Sequence, residues 1–401
     1  MAPARMRKVA FVWAQFASYH VDRCEAVARR LAGKAQVVAV EVATTSADYA
    51  WEASGDVAGA RKMVLFPGES FDAVPPWRRF RAILRAVRGC DMVCVGLGYG
   101  DRDAILLSWT LRLLGIRVVV LSESKFDDIQ RNVWFEAAKA LLLSCYSAAI
   151  VGGTRHLAYF RFLGFRRRPV MLGYDCVGMD RVRREAAVLG LAPEWSQRPF
   201  VYVGRFVSKK NLHALLDGYA AYSARGPQPV RPLVMAGSGP LEQELREHAT
   251  RLGIDDLVRF TGFLTAAEVS RLMAGALALV LVSSEEQWGL VVNEAAALGL
   301  PVIVSTAVGA RDLLVRNLVN GFVVEPRSHA GMAHAMAMLA SDEALWTAMS
   351  AASHECSWMG DTERFADAID RLLDYSAPEA PPMASNSLQV LEQPDQWPSN
   401  V

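Results

Sequence analysis

LVLVSSEEQWGLVVNEAAALGLPVIVS, Leu279 to Ser305, is the stretch whose reading decides the fold. An apolar run of buried-strand composition ends at Ser283. A short polar loop follows, then a run of helical composition, then Gly-Leu-Pro and a second apolar strand. That order is a βαβ unit, and in an open parallel sheet ligands sit at the loops on the strands' carboxyl ends. The loop carries Glu286, the helix after it carries Glu294 with seven residues between, and Gly289 stands at the turn. Unpaired amides at such a turn, with the positive end of the helix dipole, favour an anion such as phosphate. Carboxylates for hydroxyls beside amides for a diphosphate fit a sugar nucleotide. A surface acid on a loop and another on a helix face fit the same residues equally well.

Working outward, 401 residues exceed one ordinary core and point to two domains of similar size. Apolar content of 52% and charged content of 21% describe a globular chain with large buried sheets. A net charge of +1 gives no case for nucleic acid as a partner. The longest apolar runs, around Ala274–Val282 and Ala140–Val151, are too short or too interrupted to span a bilayer. Residues 1–8 are basic, but the apolar run after them is short and lacks a cleavage signature, so Val9–Trp13 reads as a strand. The six cysteines have no metal spacing, and several fall in predicted strands or helices, the pattern of reduced core thiols in a cytoplasmic protein.

Strands alternate with helices along the whole chain. Lys8–Trp13, Gln36–Val42, Met63–Phe66, Asp91–Val95, Arg117–Leu121, Ala148–Val151 and Pro169–Leu172 read as strands of a first sheet. After a helix at Arg181–Leu189, a polar, proline-bracketed segment at Pro193–Pro199 marks a boundary, and the pattern restarts at Phe200–Val203. The expected organisation is α/β, with two doubly wound, Rossmann-like parallel-sheet domains at 1–192 and 193–353. A last amphipathic helix, Thr362–Asp374, lies within 354–375, and 376–401 has the Pro, Ser, Gln and Asn content of a disordered tail.

Gly204-Arg205-Phe206-Val207-Ser208-Lys209-Lys210-Asn211 follows the second domain's first strand. In a parallel sheet Arg205 and Lys210 leave the strand on the same side as the Glu286 loop. A guanidinium and an ammonium there would offset the charge on a departing diphosphate. Gly237-Ser238-Gly239-Pro240 ends the next strand, where glycine lets backbone approach a ligand; an isolated GSGP is more simply a tight turn.

Taken together, VGRFVSKKNL, LVMAGSGPLEQEL, VRFTGFL, SSEEQWGLVVNEAAALGLPVIVS, VGARDLL and NGFVVEP resemble the donor domain of retaining nucleotide-sugar glycosyltransferases of family 4. The resemblance implies the GT-B fold, two domains facing across a cleft, with the final helix crossing back to the first domain. It implies a nucleotide diphosphate sugar as donor, a glycan or lipid-linked acceptor, and no metal or other cofactor. It places Glu286 on the sugar hydroxyls and Glu294 on the ribose, with Arg205 and Lys210 on the diphosphate beside Gly204 and Gly237. Gly289, Leu290 and Val291 would give amides to sugar and phosphate, and Gly262, Phe263 and Leu264 would run along the nucleobase.

The first half departs from that pattern. Where the family has paired glycines after the first strand, this chain has AQFASYH, Ala14 to His20. Where many members carry a histidine and an aspartate beside the donor sugar, this chain has Ser122, Glu123 and Ser124. Glu123, or His20 from the opposite loop, could take that place; on their own they read as a hydrogen-bonded loop carboxylate and a partly buried imidazole. Arg131, Asn132, Glu136 and Lys139 read as a solvated helix face. The arginine-rich helix Pro76–Arg88 and the cluster Arg161, Arg166, Arg167 and Arg168 could attract anionic headgroups, which would place the protein peripherally on the cytoplasmic membrane face in polysaccharide or glycolipid assembly. An ordinary solvated helix fits that pattern too. A sugar-nucleotide epimerase of the same fold and a non-catalytic sugar-nucleotide binding protein are the alternatives in function.

Overall fold

Runs such as VAFVW and VIVS, apolar at consecutive positions, suit strands covered on both faces, as in parallel sheets flanked by helices. The computed structural model describes residues 5–46, 54–187 and 193–375, and two such sheets account for them. The first contains β1 (Arg7–Trp13), β2 (Ala35–Thr45), β3 (Ala60–Ser70), β4 (Met92–Val95), β5 (Arg117–Ser122), β6 (Ala148–Val151) and β7 (Val170–Leu172). Its order is β3-β2-β1-β4-β5-β6-β7, all parallel. The flanking helices are α1 (Ser18–Arg30), α2 (Pro76–Val87), α3 (Arg102–Leu113), α4 (Val133–Leu142), α5 (Thr154–Phe162) and α6 (Met179–Ala187).

The second sheet contains β8 (Phe200–Val203), β9 (Leu233–Ala236), β10 (Val258–Gly262), β11 (Ala278–Leu281), β12 (Val302–Ser305) and β13 (Gly321–Val324), parallel in the order β10-β9-β8-β11-β12-β13. Its helices are α7 (Leu212–Arg225), α8 (Glu242–Arg251), α9 (Ala266–Ala274), α10 (Val291–Ala297), α11 (Arg311–Leu314), α12 (His329–Ser341) and α13 (Glu343–Cys356); α14 (Thr362–Asp374) follows. Strand order reverses at β1/β4 and at β8/β11, and the crevices outside those switch points are where such sheets hold ligands.

The chain crosses between the lobes twice. Helix α6 leaves the first sheet and packs against α9 and α10 of the second lobe, and α14 returns to lie on α1. Arg29 and Arg30 meet Glu363, and Lys34 meets Asp370 at 3.0 Å, but these pairs are exposed and each contributes little. Phe365, Ile369 and Leu372 are buried beneath them, at about 1.5–3 kcal/mol per side chain. Apolar burial, not the ion pairs, holds α14 in place.

The strand β3 is far longer than the four residues expected. Only Phe66 of its eleven residues is buried, so an edge strand with a solvated surface leaves little hydrophobic signal. Helix α2 turns Ile83 and Val87 inward, and Arg79 goes inward with them, bonded to Asp103 at 2.8 and 2.9 Å. Residues 188–192 and the expected tail at 376–401 lie outside the described residues.

Candidate active site at the seam between the lobes

On the second lobe the loops after β8 and β11 are stitched together. Asn211 takes the left-handed conformation (φ 58°), which asparagine tolerates better than most residues, and its amide donates to the carbonyls of Val282 and Pro326 at 3.0 and 2.6 Å. The carbonyl of Lys209 accepts from the backbone of Ser284 at 2.9 Å. That geometry delivers the Lys210 ammonium onto the Glu286 carboxylate, which also accepts from Ser283 Oγ at 2.9 Å. Arg205 belongs to the same neighbourhood. Its carbonyl accepts from the Tyr202 hydroxyl at 2.9 Å, and that phenol is pushed well up by burial and then by the Glu286 charge, with Arg205 opposing.

The glycines of this surface are required by geometry. Gly237 has φ 137°, and a Cβ there would stand 1.9 Å from the Gly204 carbonyl oxygen. Its amide donates to the Gly262 carbonyl at 2.9 Å, joining the Gly-Ser-Gly-Pro turn to the end of β10, beside an exposed Phe263 and a half-buried Leu264. Gly289 has φ 100° and precedes Leu290 and Val291 at the start of α10. The structure therefore collects Gly204, Arg205, Lys210, Gly237, Gly262, Phe263, Leu264, Glu286, Gly289, Leu290 and Val291 at the carboxyl ends of β8 to β11.

Glu294 lies in a different setting. Its charged neighbours are Arg181 and Glu185 of α6 and Asp22 of α1, and burial pushes its carboxyl up to about 7 against the opposing pull of Arg181. Arg181 is already engaged by Asp22 at 2.9 Å and Glu185 at 3.0 Å, so Glu294 is the third acid around one guanidinium. The E-x7-E spacing thus puts its two acids beside different partners.

The first lobe supplies an acidic centre of its own. Glu123 follows β5 and acts electrostatically on Asp175, whose two carboxyl oxygens are buried without a hydrogen-bond partner among the described residues. Burial raises both carboxyls, Asp175 well above the usual range. The Arg23 guanidinium, 3.8 Å from Asp175, opposes the rise. Burial and like charge oppose ionising both carboxyls, which favours the state in which the pair holds one proton. Glu286 adds to the upward push on Glu123, so acids of the two lobes face each other across the seam.

His20 is buried on the first lobe. It sits in the first turn of α1, where its Nδ1 accepts from the Ala17 amide at 2.9 Å, and the rings of Tyr19, Trp13 and Phe16 surround it. Burial and then Arg23 hold its pKa well below the usual value, so the ring is neutral.

Sequence reasoning missed Asp175 and Arg23. Arg23 shares the helical stripe of His20, Cys24, Val27 and Leu31, and a charge on an otherwise buried face was the available signal. Asp175 interrupts the apolar run around Tyr174 and Cys176 in the same way.

Further bonds pin the lobes together. Arg155, at the start of α5, reaches Asp312 at 2.8 Å, the Val308 carbonyl at 2.6 Å and the Thr306 carbonyl at 3.3 Å. His156 accepts the Gly153 amide at Nδ1, which leaves Nε2–H to donate to the Gln287 carbonyl at 2.9 Å; burial lowers its pKa to about 4. Asn293 accepts from the indole of the buried Trp288 and donates to the Asp175 carbonyl, both within 2.9 Å. Among the described residues no three His, Cys, Asp or Glu side chains group to hold a metal ion, and all six cysteines are free and buried.

Two parallel-sheet Rossmann-like lobes with the candidate site at their seam form the GT-B architecture, and solved structures share it. The Anabaena protein HepE, in complex with UDP and glucose, superimposes with a TM-score of 0.68 over 92% of this chain and 99% of that one, at 18% identity. Residues 194–355 match the family model described as glycosyl transferases group 1. Among curated relatives, glycogen synthase of Mycobacterium tuberculosis is 33% identical over 153 residues, covering 38% of this chain and 36% of that protein. The lipopolysaccharide core biosynthesis glycosyltransferase LpsE of Rhizobium meliloti is 31% identical over 153 residues, 38% and 42% of the two chains. These matches span well under half the length of the relatives.

Proposed function

We propose that the protein is a retaining glycosyltransferase of the family 4 kind. It would move a sugar from a nucleotide diphosphate donor to a glycan or lipid-linked acceptor in polysaccharide or glycolipid assembly. The observation that carries this reading is the pairing of Lys210 with Glu286 on the loops after β8 and β11, beside Arg205 and opposite Glu123. Arg205 and Lys210 receive the diphosphate, Glu286 accepts from donor-sugar hydroxyls, and Glu294 accepts from the ribose. The amides of Gly289, Leu290 and Val291 meet sugar and phosphate, and Phe263 borders the base. The HepE complex supports UDP as the nucleotide.

In the reaction the bond from the anomeric carbon to the β-phosphate oxygen breaks with its electrons leaving on the phosphate. The acceptor oxygen bonds to the same face of that carbon, and its proton passes to the departing phosphate. Positive charge from Arg205 and Lys210 offsets the charge that builds there, without a metal. Glu123 would orient the acceptor hydroxyl, with the buried Asp175 acting on it from behind. Free buried thiols and a nucleotide-sugar donor support a cytoplasmic location. Among the described residues no helix is long and apolar enough to cross a membrane.

The test is transfer or nucleotide release from a panel of radiolabelled UDP-sugars, with a lipid and glycan extract as acceptor pool. Arg205→Ala and Glu286→Ala should each lower turnover by about 10²–10³-fold. Near wild-type rates in both variants would sink the mechanism. Donor binding without nucleotide release in any acceptor pool would favour the non-catalytic alternative, and donor isomerisation without an acceptor the epimerase.

A further inference from the structure

Helix α4 is built inside out. Its one buried residue is Glu136, which accepts from the Tyr159 hydroxyl at 2.6 Å; Lys139 and Arg131 donate to that same hydroxyl at 2.7 and 2.9 Å. The polar face expected to be solvated is thus turned inward. Outward go Trp134, Phe135 and Leu141, at 80%, 75% and 70% exposure. Withdrawing side chains of this size from water is strongly favourable, so an outer face left bare in water forfeits the helix's largest available stabilisation. Phe126 and Phe162, also exposed and with ring centroids 5.6 Å apart, extend the apolar surface beside it.

The surrounding charge selects the occupant. From Ile129 to Val170 the chain has one acid, the buried Glu136, against seven bases. Arg161 and Arg168, in the cluster read from sequence as a headgroup site, are engaged with backbone carbonyls of Phe165, Leu143 and Tyr146. Arg166 and Arg167 remain exposed on the turn after α5. Exposed aromatics beside unopposed arginines match the boundary between acyl chains and anionic headgroups, where a short helix lies in the plane of the membrane.

We propose that α4 and the adjoining apolar surface seat the first lobe on an anionic lipid bilayer. The loop that leads into α4 carries Glu123, so this seating brings the acceptor side of the seam to the membrane and makes a lipid-linked sugar the acceptor class. The acceptor assignment rests on the glycosyltransferase reading; the membrane contact does not.

Flotation of the full chain with phosphatidylcholine vesicles, with and without phosphatidylglycerol, tests it. Wild type should float with the anionic vesicles, and Trp134→Ser/Phe135→Ser should lower that partition about ten-fold or more. Arg166→Glu/Arg167→Glu should lower it on anionic vesicles only. Both variants should keep the wild-type melting temperature and UDP-sugar affinity, since none of the four residues contacts the donor loops. Wild type staying with the unbound fraction, or the aromatic double variant floating normally, would overturn the proposal. So would a wild-type dimer by light scattering that the double variant abolishes, because a second copy would then cover the patch. If the chain floats yet binds no sugar nucleotide, the membrane contact stands and the glycosyltransferase reading fails.

Discussion

Replacing Glu294 with glutamine should make the protein more stable and a poorer binder of donor at once, with a pH dependence that identifies the cause. Burial lifts this carboxyl from 4.5 to about 7, with Asp22 and Glu185 adding to the lift and Arg181 opposing it. A carboxyl with a raised folded-state pKa keeps its proton in the fold at a pH where the unfolded chain has released it. The folded form then binds more protons between pH 4.5 and 7, and stability falls as pH rises through that window. The full shift corresponds to about 3 kcal/mol, and relaxation around Arg181 leaves about 1–3 kcal/mol to be measured. Glutamine keeps the shape and cannot ionise. Urea denaturation should show Glu294→Gln stabilised by that amount at pH 8, with most of the gain gone at pH 5. At pH 8 donor affinity should fall, because a neutral amide replaces a charged acceptor for ribose hydroxyls. A stability difference that stays constant from pH 5 to pH 8 would refute the reasoning, since it would mean that Glu294 ionises at its ordinary pKa.

Asp175→Asn leaves a side chain that cannot ionise, so the loss of the Asp175 proton, which burial and the Glu123 charge push well above the usual carboxyl range, is removed. The transfer profile should then keep its acid limb and lose the fall at higher pH that the Asp175 proton sets, and superimposable profiles would remove the pair from the reaction. Arg155→Ala takes away a charged hydrogen-bond donor that spans the lobes, a loss of about 1.5–3 kcal/mol for the contact to Asp312 alone. Small-angle scattering should report a larger radius of gyration and kinetics a raised KM with kcat less affected; unchanged scattering would show that the other cross-lobe contacts suffice.

The parallel strands were legible because burial on both faces leaves uninterrupted apolar runs, as at Val93–Val95 and Val302–Val304. The donor loops were legible because their glycines and charges lie close in sequence to the strands that place them. What escaped is non-local. The charged face of α4 looked solvated because its partner, Tyr159, is on the following helix, beyond the reach of local periodicity. Glu294 looked like a partner of Glu286 because seven residues separate them, yet its electrostatic surroundings come from α1 and α6, more than a hundred residues earlier. Arg155 carried no signal, since a lone arginine after two glycines is an ordinary helix start.

The seam also couples proton binding to the arrangement of the lobes. Part of the upward push on Glu123 comes from Glu286, which belongs to the other lobe and reaches it only when the two are apposed. Apposition therefore raises the proton affinity of the Glu123–Asp175 pair, and by linkage a protonated pair favours apposition. A diphosphate on Arg205 and Lys210 would bring further negative charge to that side and push in the same direction. Lobe closure over donor thus favours the state in which the pair holds one proton. Arg155→Ala tests this as well. If opening the lobes relieves Glu123 of the Glu286 charge, its acid limb should shift down, and an unmoved limb would show that Glu286 does not act on the pair.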